Sequence, residues 1–275
     1  VNPFAAFSEG NMLQVIFFAL VFGFSMAALG EKVQNVRTLI EQLNEIIMKM
    51  IMVVMATAPF GVFALVANVF AKEGFSAFTP LMKYIICVTV ALLIQFSVTY
   101  GLALKILARL SLITFIKKFY ATMLVAFSTA SSNATLPVTM ETAEKEMGVS
   151  NKIASFTLPL GATVNMDGTA IMQGCAVVFI SQVYGIDLSF TALLTVVLTA
   201  TIASIGTAGV PSVGLITLSM VLTQAGLPVE GIALIMGIDR ILDMMRTAVN
   251  ISGDTVVTLI VAKSEGELDE SVFNR

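Results

Sequence analysis

Gly237–Asp254, GIDRILDMMRTAVNISGD, lies inside the apolar segment Val229–Val261, which is long enough to cross a bilayer. Asp239, Asp243, Arg246, Asn250 and Asp254 follow one another at steps of four, three, four and four. On a helix of about 3.6 residues per turn this spacing stacks all five on one stripe. Ile238, Ile241, Leu242, Met245 and Val249 cover most of the remaining surface. A charged side chain at mid-membrane costs about 2.5 to 3.5 kcal/mol on insertion scales, so three Asp and one Arg represent on the order of 10 kcal/mol of unfavourable burial. A self-neutralising set of ion pairs that only packs helices together is the plain explanation. Three acids against one or two bases leave negative charge unpaired, and a cation from outside the chain is the natural partner.

Composition sets the class. Hydrophobic residues make up 57% of the chain and charged residues 12%, against about 25% charged in an ordinary soluble domain. The expectation is an all-α, multi-pass protein of the cell (inner or plasma) membrane, with the lipid bilayer as its solvent. A net charge of −3 points to no nucleic-acid partner. There is no His, and the two Cys, Cys87 and Cys175, sit in apolar runs, which argues against zinc and against His-based acid–base chemistry. Both Cys read as helix-packing residues. Position 1 is Val rather than Met, and the chain is expected to start within a longer protein.

Outward from the stripe, Met12–Leu29 reads as a span or the end of one. Glu31–Lys49 is an amphipathic approach to a second span, 46–71, with a kink expected at Ala58-Pro59-Phe60-Gly61. After a polar turn at Lys72–Ser76, a third span covers 81–107. Lys105, Arg109, Lys117, Lys118, Lys145 and Lys152 cluster in some connections, whereas Tyr184–Leu188 and Gln224–Glu230 hold no Lys or Arg. By the positive-inside rule the basic connections and the C-terminus are cytoplasmic.

Two stretches are too short and too interrupted for ordinary spans. Phe115–Phe127 and Ala134–Met147 flank Ser128-Thr129-Ala130-Ser131-Ser132-Asn133; Thr191–Ala203 and Val213–Leu222 flank Ser204-Ile205-Gly206-Thr207-Ala208-Gly209-Val210-Pro211. Each reads as a re-entrant helical hairpin with a polar tip. Between them, 154–184 is a span broken at Asn165-Met166-Asp167-Gly168-Thr169. Paired interrupted segments point to a secondary-transporter site, and loop charges bring the two tips together near the midplane, by the broken helix and the charged stripe.

The chemistry follows from which backbone groups such breaks expose. Ser132 and Asn133 are placed to cap the half-helix that follows, whose free N–H groups suit a carboxylate. Pro211 suits a first helical position, while carbonyls of Ser204, Ile205 and Thr207 close the preceding half-helix and suit a bare cation. The Asn165 break offers carbonyls from Gly161, Thr163 and Asn165 beside the Asp167 carboxylate and the Thr169 hydroxyl. Hard oxygen donors without His or Cys favour an alkali or alkaline-earth ion. Arg246 carries a planar fork that matches a carboxylate, and Asp243, one turn earlier, suits an ammonium group. An acidic amino acid has that charge distribution. Glu141, Glu144, Lys145 and Glu146 read as a solvated helix end. A channel would want rings of like charge around a pore, and an enzyme would need a base beside Ser131 or Ser132, which the chain does not supply.

These four stretches, Ser131-Ser132-Asn133-Ala134-Thr135-Leu136-Pro137, Asn165–Thr169, Ser204–Pro211 and Asp243–Asp254, resemble the signature motifs of the dicarboxylate/amino acid:cation symporters, the glutamate-transporter family. The likeness covers nearly the whole chain. It implies transmembrane helices plus two re-entrant hairpins, a homotrimer, and an elevator-like uptake of aspartate or glutamate driven by Na⁺ or H⁺, with C4-dicarboxylate symport as the alternative. It divides the chain into scaffold helices at 1–80 (the end of a fourth span and a fifth), a transport domain at 81–262 and a cytoplasmic tail at 263–275. Within the transport domain come a hairpin at 114–148, a broken helix at 150–185, a hairpin at 190–225 and a final helix at 229–262. The resemblance implies substrate contacts from Ser131, Ser132, Thr169, Val210, Asp243, Arg246, Thr247 and Asn250. One cation site would use Gly161, Asn165, Asn250 and Asp254; a second, carbonyls of Thr163, Ser204, Ile205 and Thr207; a third, Asp167 with hydroxyls from a helix preceding Val1. Relatives place a further Arg at the first hairpin tip or beside the substrate Arg, where this chain has Ala130 and Met244. Arg240 either supplies that charge in another way or neutralises Asp239. Asp243 favours an amino acid over a plain dicarboxylate, which has no ammonium for it to meet.

Overall fold

The computed structural model describes residues 3–5, 12–56, 60, 63–64, 67, 78–205, 207, 209 and 211–275. Among these there is no strand, only an isolated antiparallel bridge between Val149 and Leu268. The chain divides into two compact units, Val1–Phe75 and Ser76–Arg275.

In the first unit, α1 spans Met12–Leu29, the bounds expected from its apolar run. A 3₁₀ turn, Gly30–Val33, leads into α2, Gln34–Ala56. Phe17, Phe24 and Val53 are exposed, so these helices keep their apolar surface for lipid or another protein surface. The expected kink at Ala58-Pro59-Phe60-Gly61 falls outside the described residues except for Phe60, and so does the turn at Lys72–Ser76.

The second unit is built around one long helix. α3 covers Phe78–Ile94 and continues through a π-helical turn, Gln95–Tyr100, a short α4, Gly101–Ala103, and a second π turn, Leu104–Ala108. Two half-helices follow, α5 at Leu112–Thr129 and α6 at Ser132–Lys145, and then the broken pair α7 at Asn151–Val164 and α8 at Asp167–Val183. α9, Phe190–Ile205, and α10, Val213–Gln224, form the second hairpin. α11, Ile232–Ser264, then runs for 33 residues, and α12, Glu270–Phe273, ends the fold. α11 packs against α3, α5, α7 and α8, so most of the core is arranged around it. The boundary expected at 80/81 falls within the first turn of α3 rather than ahead of it.

Three expectations need correction. α5 has 18 residues and is apolar and long enough to cross a membrane by itself, so it is more than the short arm read over 115–127. Ser111 extends it at the N-terminus by accepting from the Thr114 N–H at 3.4 Å. At the tip, Ser131 rather than Ser132 or Asn133 caps α6: its backbone is extended and its hydroxyl accepts from the Ala134 N–H at 3.2 Å. Pro211 is not the first helical residue of α10. Ser212 follows it in the left-handed region at φ 61°, and the helix begins only at Val213.

The C-terminal segment, 263–275, is clasped onto the base of the first hairpin. Ser150 N–H donates to Glu267 O at 3.0 Å and Asp269 N–H to Gly148 O at 2.8 Å. Lys118 Nζ donates to the carbonyls of Glu146 and Val272, each at 2.8 Å, so one ammonium closes two helix ends. Lys152 pairs with Glu267 and Lys263 with Glu270. Phe273 is fully buried in the core. Hydrogen bonds from Lys152 and Ser150 hold the Glu267 carboxyl below its ordinary value of 4.5, and Ser271 lowers that of Asp269 from 3.8. Both contributions are present above those ordinary values and are lost as the pH falls through the lowered ones.

Phe273→Ala should therefore destabilise this unit by about 3 kcal/mol, read as a lower midpoint of thermal unfolding in detergent. Arg275→Ala, at an exposed position, should barely move the midpoint.

Candidate functional site

The stripe on α11 is buried along its whole length: Asp239, Asp243, Arg246, Asn250 and Asp254 all lie in the interior. Arg246 is fully enclosed. Its Nη1 donates to Asp239 Oδ1 and its Nη2 to Asp243 Oδ1, both at 2.9 Å. The second oxygen of Asp243 accepts from the Ser212 N–H at 2.8 Å, so the strained turn before α10 is held by the same carboxylate that holds Arg246. Thr247 is tied to this set through its hydroxyl, which donates to the Asp243 carbonyl at 2.8 Å. Removing one member of such a buried set would leave a charge without its partner, at a cost of about 3 to 5 kcal/mol.

Asp239 pairs with the buried Arg246, whereas Arg240 is exposed. Residues seven apart lie two turns along the same face, whereas adjacent residues are turned about 100° from each other. Two acids on one guanidinium still leave an excess negative charge. Asp239 Oδ2, Arg246 Nε and the Tyr84 hydroxyl are buried and find no hydrogen-bond partner among the described residues.

The two hairpin tips meet beside this cluster. Ser131 Oγ donates to the Gly209 carbonyl at 2.8 Å, and the Asn133 N–H reaches the same oxygen at 3.2 Å. Gly209 is also pressed against Asn133 Oδ1 and the Ala162 carbonyl, leaving no room for a side chain. Gly214, in the first turn of α10, faces Thr169, Met172 and Arg246 Nη2. Ser132, Thr169, Asp243, Thr247 and Asn250 line a polar cavity of about 10 Å³ open to the centre of a water molecule, room for roughly one water. A larger solute needs these elements to part. Val210 lies outside the described residues.

The break between α7 and α8 is filled from α11. Asn250 Oδ1 accepts from the Gly168 N–H at 2.7 Å, replacing a bond that the interrupted helix lacks. Asn165 Nδ2 donates to Asp254 Oδ1 at 2.9 Å and to the Asn250 carbonyl at 3.3 Å. A Cβ on Gly161 would fall 2.8 Å from Asp254 Oδ1, so the glycine lets that carboxylate lie directly on α7. Gly161, Asn165, Asn250 and Asp254 thus form one oxygen-rich group. An apolar cleft of about 530 Å³, flanked by Phe156, Leu160, Val257 and Val261, reaches Gly161, Asn165 and Asp254.

The other expected cation residues are placed less tightly. Thr163 is exposed near the end of α7, with its hydroxyl on the Pro159 carbonyl at 2.8 Å. Ser204 and Ile205 end α9, and the Ser204 carbonyl accepts from the Thr207 N–H at 3.1 Å. Thr207 Oγ1 donates to Ala203 O at 2.8 Å. Asp167 begins α8, and its Oδ2 accepts from Gln95 Nε2 at 2.7 Å and from the Tyr100 hydroxyl at 2.8 Å. Gln95, Tyr100 and Tyr84 fall in the stretch whose sequence reads as a plain span, 81–107. Their signal was polarity at membrane depth within an otherwise apolar run.

The chain matches the sodium:dicarboxylate symporter family over residues 1–264. It is 39% identical over 269 residues to the proton/sodium-glutamate symport protein of Bacillus caldotenax, covering 98% of this chain and 63% of that protein. To the proton/glutamate-aspartate symporter of Escherichia coli (strain K12) it is 39% identical over 269 residues, 98% of this chain and 61% of that one. To excitatory amino acid transporter 3 of Mus musculus it is 40% identical over 267 residues, 96% and 51% of the two chains. The chain therefore spans between 51% and 63% of the length of these relatives.

The filled break makes its own prediction. A Cβ on Gly168 would stand 3.0 Å from both the Arg246 carbonyl and Asn250 Oδ1, while one on Gly174 meets nothing within 4 Å. Gly168→Ala should lower stability by about 1 to 3 kcal/mol, and Gly174→Ala should raise it by about 0.5 to 1 kcal/mol, both read from thermal unfolding in detergent.

Proposed function

Because the chain belongs to the sodium:dicarboxylate symporter family, we propose that the protein carrying it is a secondary active symporter taking up an acidic amino acid, aspartate or glutamate, with Na⁺ or H⁺. The observation that carries this reading is the placement of Asp243 and Arg246 one turn apart, both buried, under two hairpin tips that touch. An acidic amino acid offers two carboxylates and one ammonium. In this reading one carboxylate takes the Arg246 fork and the other the N–H groups at the start of α6, by Ser131 and Ser132, while Asp243 receives the ammonium. Thr169, Thr247, Asn250 and Val210 complete the substrate shell.

Loading is then an exchange of ion pairs. The incoming carboxylate displaces an aspartate from Arg246, and the freed Asp243 meets the ammonium, so no buried charge is left alone. The Ser212 N–H donates to the other oxygen of the same carboxylate, Asp243 Oδ2, so a movement of Asp243 in the exchange loosens the second hairpin at the moment substrate arrives. Cations balance the negative charge that remains. One site uses Gly161, Asn165, Asn250 and Asp254; a second uses carbonyls of Thr163, Ser204, Ile205 and Thr207; a third uses Asp167. Assembly as a homotrimer in the cell membrane, elevator-like movement of the transport domain, 81–262, and a cytoplasmic C-terminus complete the proposal. An enzymatic role has no support in the tip chemistry: Ser131 Oγ accepts from Ala134 N–H and donates to Gly209 O, roles that hold backbone in place.

Arg246→Cys should weaken aspartate uptake by about a hundredfold or more, given the cost of losing a buried charge pair, and open the site to neutral amino acids. Unchanged aspartate binding would remove the role given to Arg246. With Asp243 present, excess succinate should displace bound aspartate poorly in the presence of Na⁺; equal displacement would favour the C4-dicarboxylate reading.

A further inference from the structure

The structure assigns Gln95 and Tyr100 as positioning residues that aim the Asp167 carboxylate at a hard monovalent cation, an inference that rests on Asp167 belonging to a cation site. Both side chains donate to one oxygen, Oδ2, at 2.7 and 2.8 Å. An ionised carboxylate oxygen accepts about two such bonds, so Oδ2 is saturated. Among the described residues no hydrogen bond reaches Oδ1, which stays available to a cation. The carboxylate is thus held by one oxygen and offered by the other.

A regular α-helix could not make this grip. Side chains five residues apart on an α-helix point about 140° away from each other. Here Gln95 and Tyr100 are the first and last residues of a π-helical turn, whose wider i→i+5 ring brings those two positions into line. α3 itself is ordinary helix, and the first of the two π turns that follow it falls where two polar side chains converge on α8. Such turns recur at functional sites.

Tyr100 also joins two of the proposed cation sites. A Cβ at Gly253 of α11 would collide with both the Tyr100 hydroxyl and Asn165 Nδ2. That same amide holds Asp254 at 2.9 Å. Tyr100, which holds Asp167, and Asn165, which holds Asp254, therefore both press on one glycine.

The test is cation-dependent aspartate binding by the protein reconstituted in liposomes, with Na⁺ titrated at fixed pH and pH titrated at fixed Na⁺. The variants are Tyr100→Phe, Gln95→Leu and Asp167→Asn. Tyr100→Phe keeps the ring and its packing and removes only the donor. Tyr100→Phe and Gln95→Leu should each raise the half-saturating concentration of the coupling cation about tenfold, the worth of one hydrogen bond to a charged group. Aspartate affinity at saturating cation should stay unchanged, which a merely structural role would not allow. If Asp167→Asn shifts cation dependence while the other two do not, the positioning role is wrong and the cation site stands. If Asp167→Asn shifts nothing, the cation role of Asp167 fails and the inference goes with it. Loss of aspartate affinity in Tyr100→Phe even at saturating cation overturns the inference in favour of a packing role.

Discussion

An arginine and its acids cannot lie at membrane depth without partners, and the Ser76–Arg275 unit is arranged around meeting that constraint. α11 supplies both signs of charge on one face, and Arg246 is closed by Asp239 and Asp243. The second hairpin supplies a backbone N–H to the remaining Asp243 oxygen. Burial of this kind is weak evidence for stability, since an apolar triple of similar size would often serve as well. It is better evidence for exchange, because each member is held by partners that an acidic, amine-bearing solute could replace.

The broken backbone answers to the same logic. At the gap between α7 and α8, Asn250 Oδ1 accepts from the Gly168 N–H and Asn165 Nδ2 donates to Asp254 Oδ1, so side chains from two helices satisfy what a continuous helix would have satisfied alone. At the tips, Ser131 and the Asn133 amide share the Gly209 carbonyl. Irregular backbone survives at this depth only when protein or a polar cavity covers it. Here the covering groups are those that the proposed function sets against substrate and cations. Support from the far side comes from the C-terminal clasp on the first hairpin, where Lys118 and Phe273 fix its base. The second hairpin's contacts with Asp243 and with the first tip are the ones that the proposed loading step would change.

Much of this was legible in the residues. Steps of three and four fixed the five polar positions of α11 on one face, and polar interruptions located both tips and the broken helix. Partner choice was harder to read. The sequence sets Asp239 against its neighbour Arg240, and the helix face instead pairs it with Arg246, seven places on. The cap fell to Ser131 because its extended backbone turns the hydroxyl toward Ala134. Pro211 could not open α10 because Ser212 adopts the left-handed region on its way to Asp243. The π turn at Gln95–Tyr100 left no signature, since its effect is to align residues that α-helical spacing would separate. The buried Phe273 was hidden in a segment whose neighbours are polar.

The central claim is that one asymmetric buried site carries an anionic solute only in company with a cation. Concentrative uptake tests it most directly: labelled aspartate is followed in proteoliposomes under an inward Na⁺ gradient, an inward H⁺ gradient, or neither. The account predicts accumulation above the external concentration under at least one gradient, and its collapse when an ionophore dissipates that gradient. Aspartate that merely equilibrates across the membrane, at the same rate with and without either gradient, would contradict it.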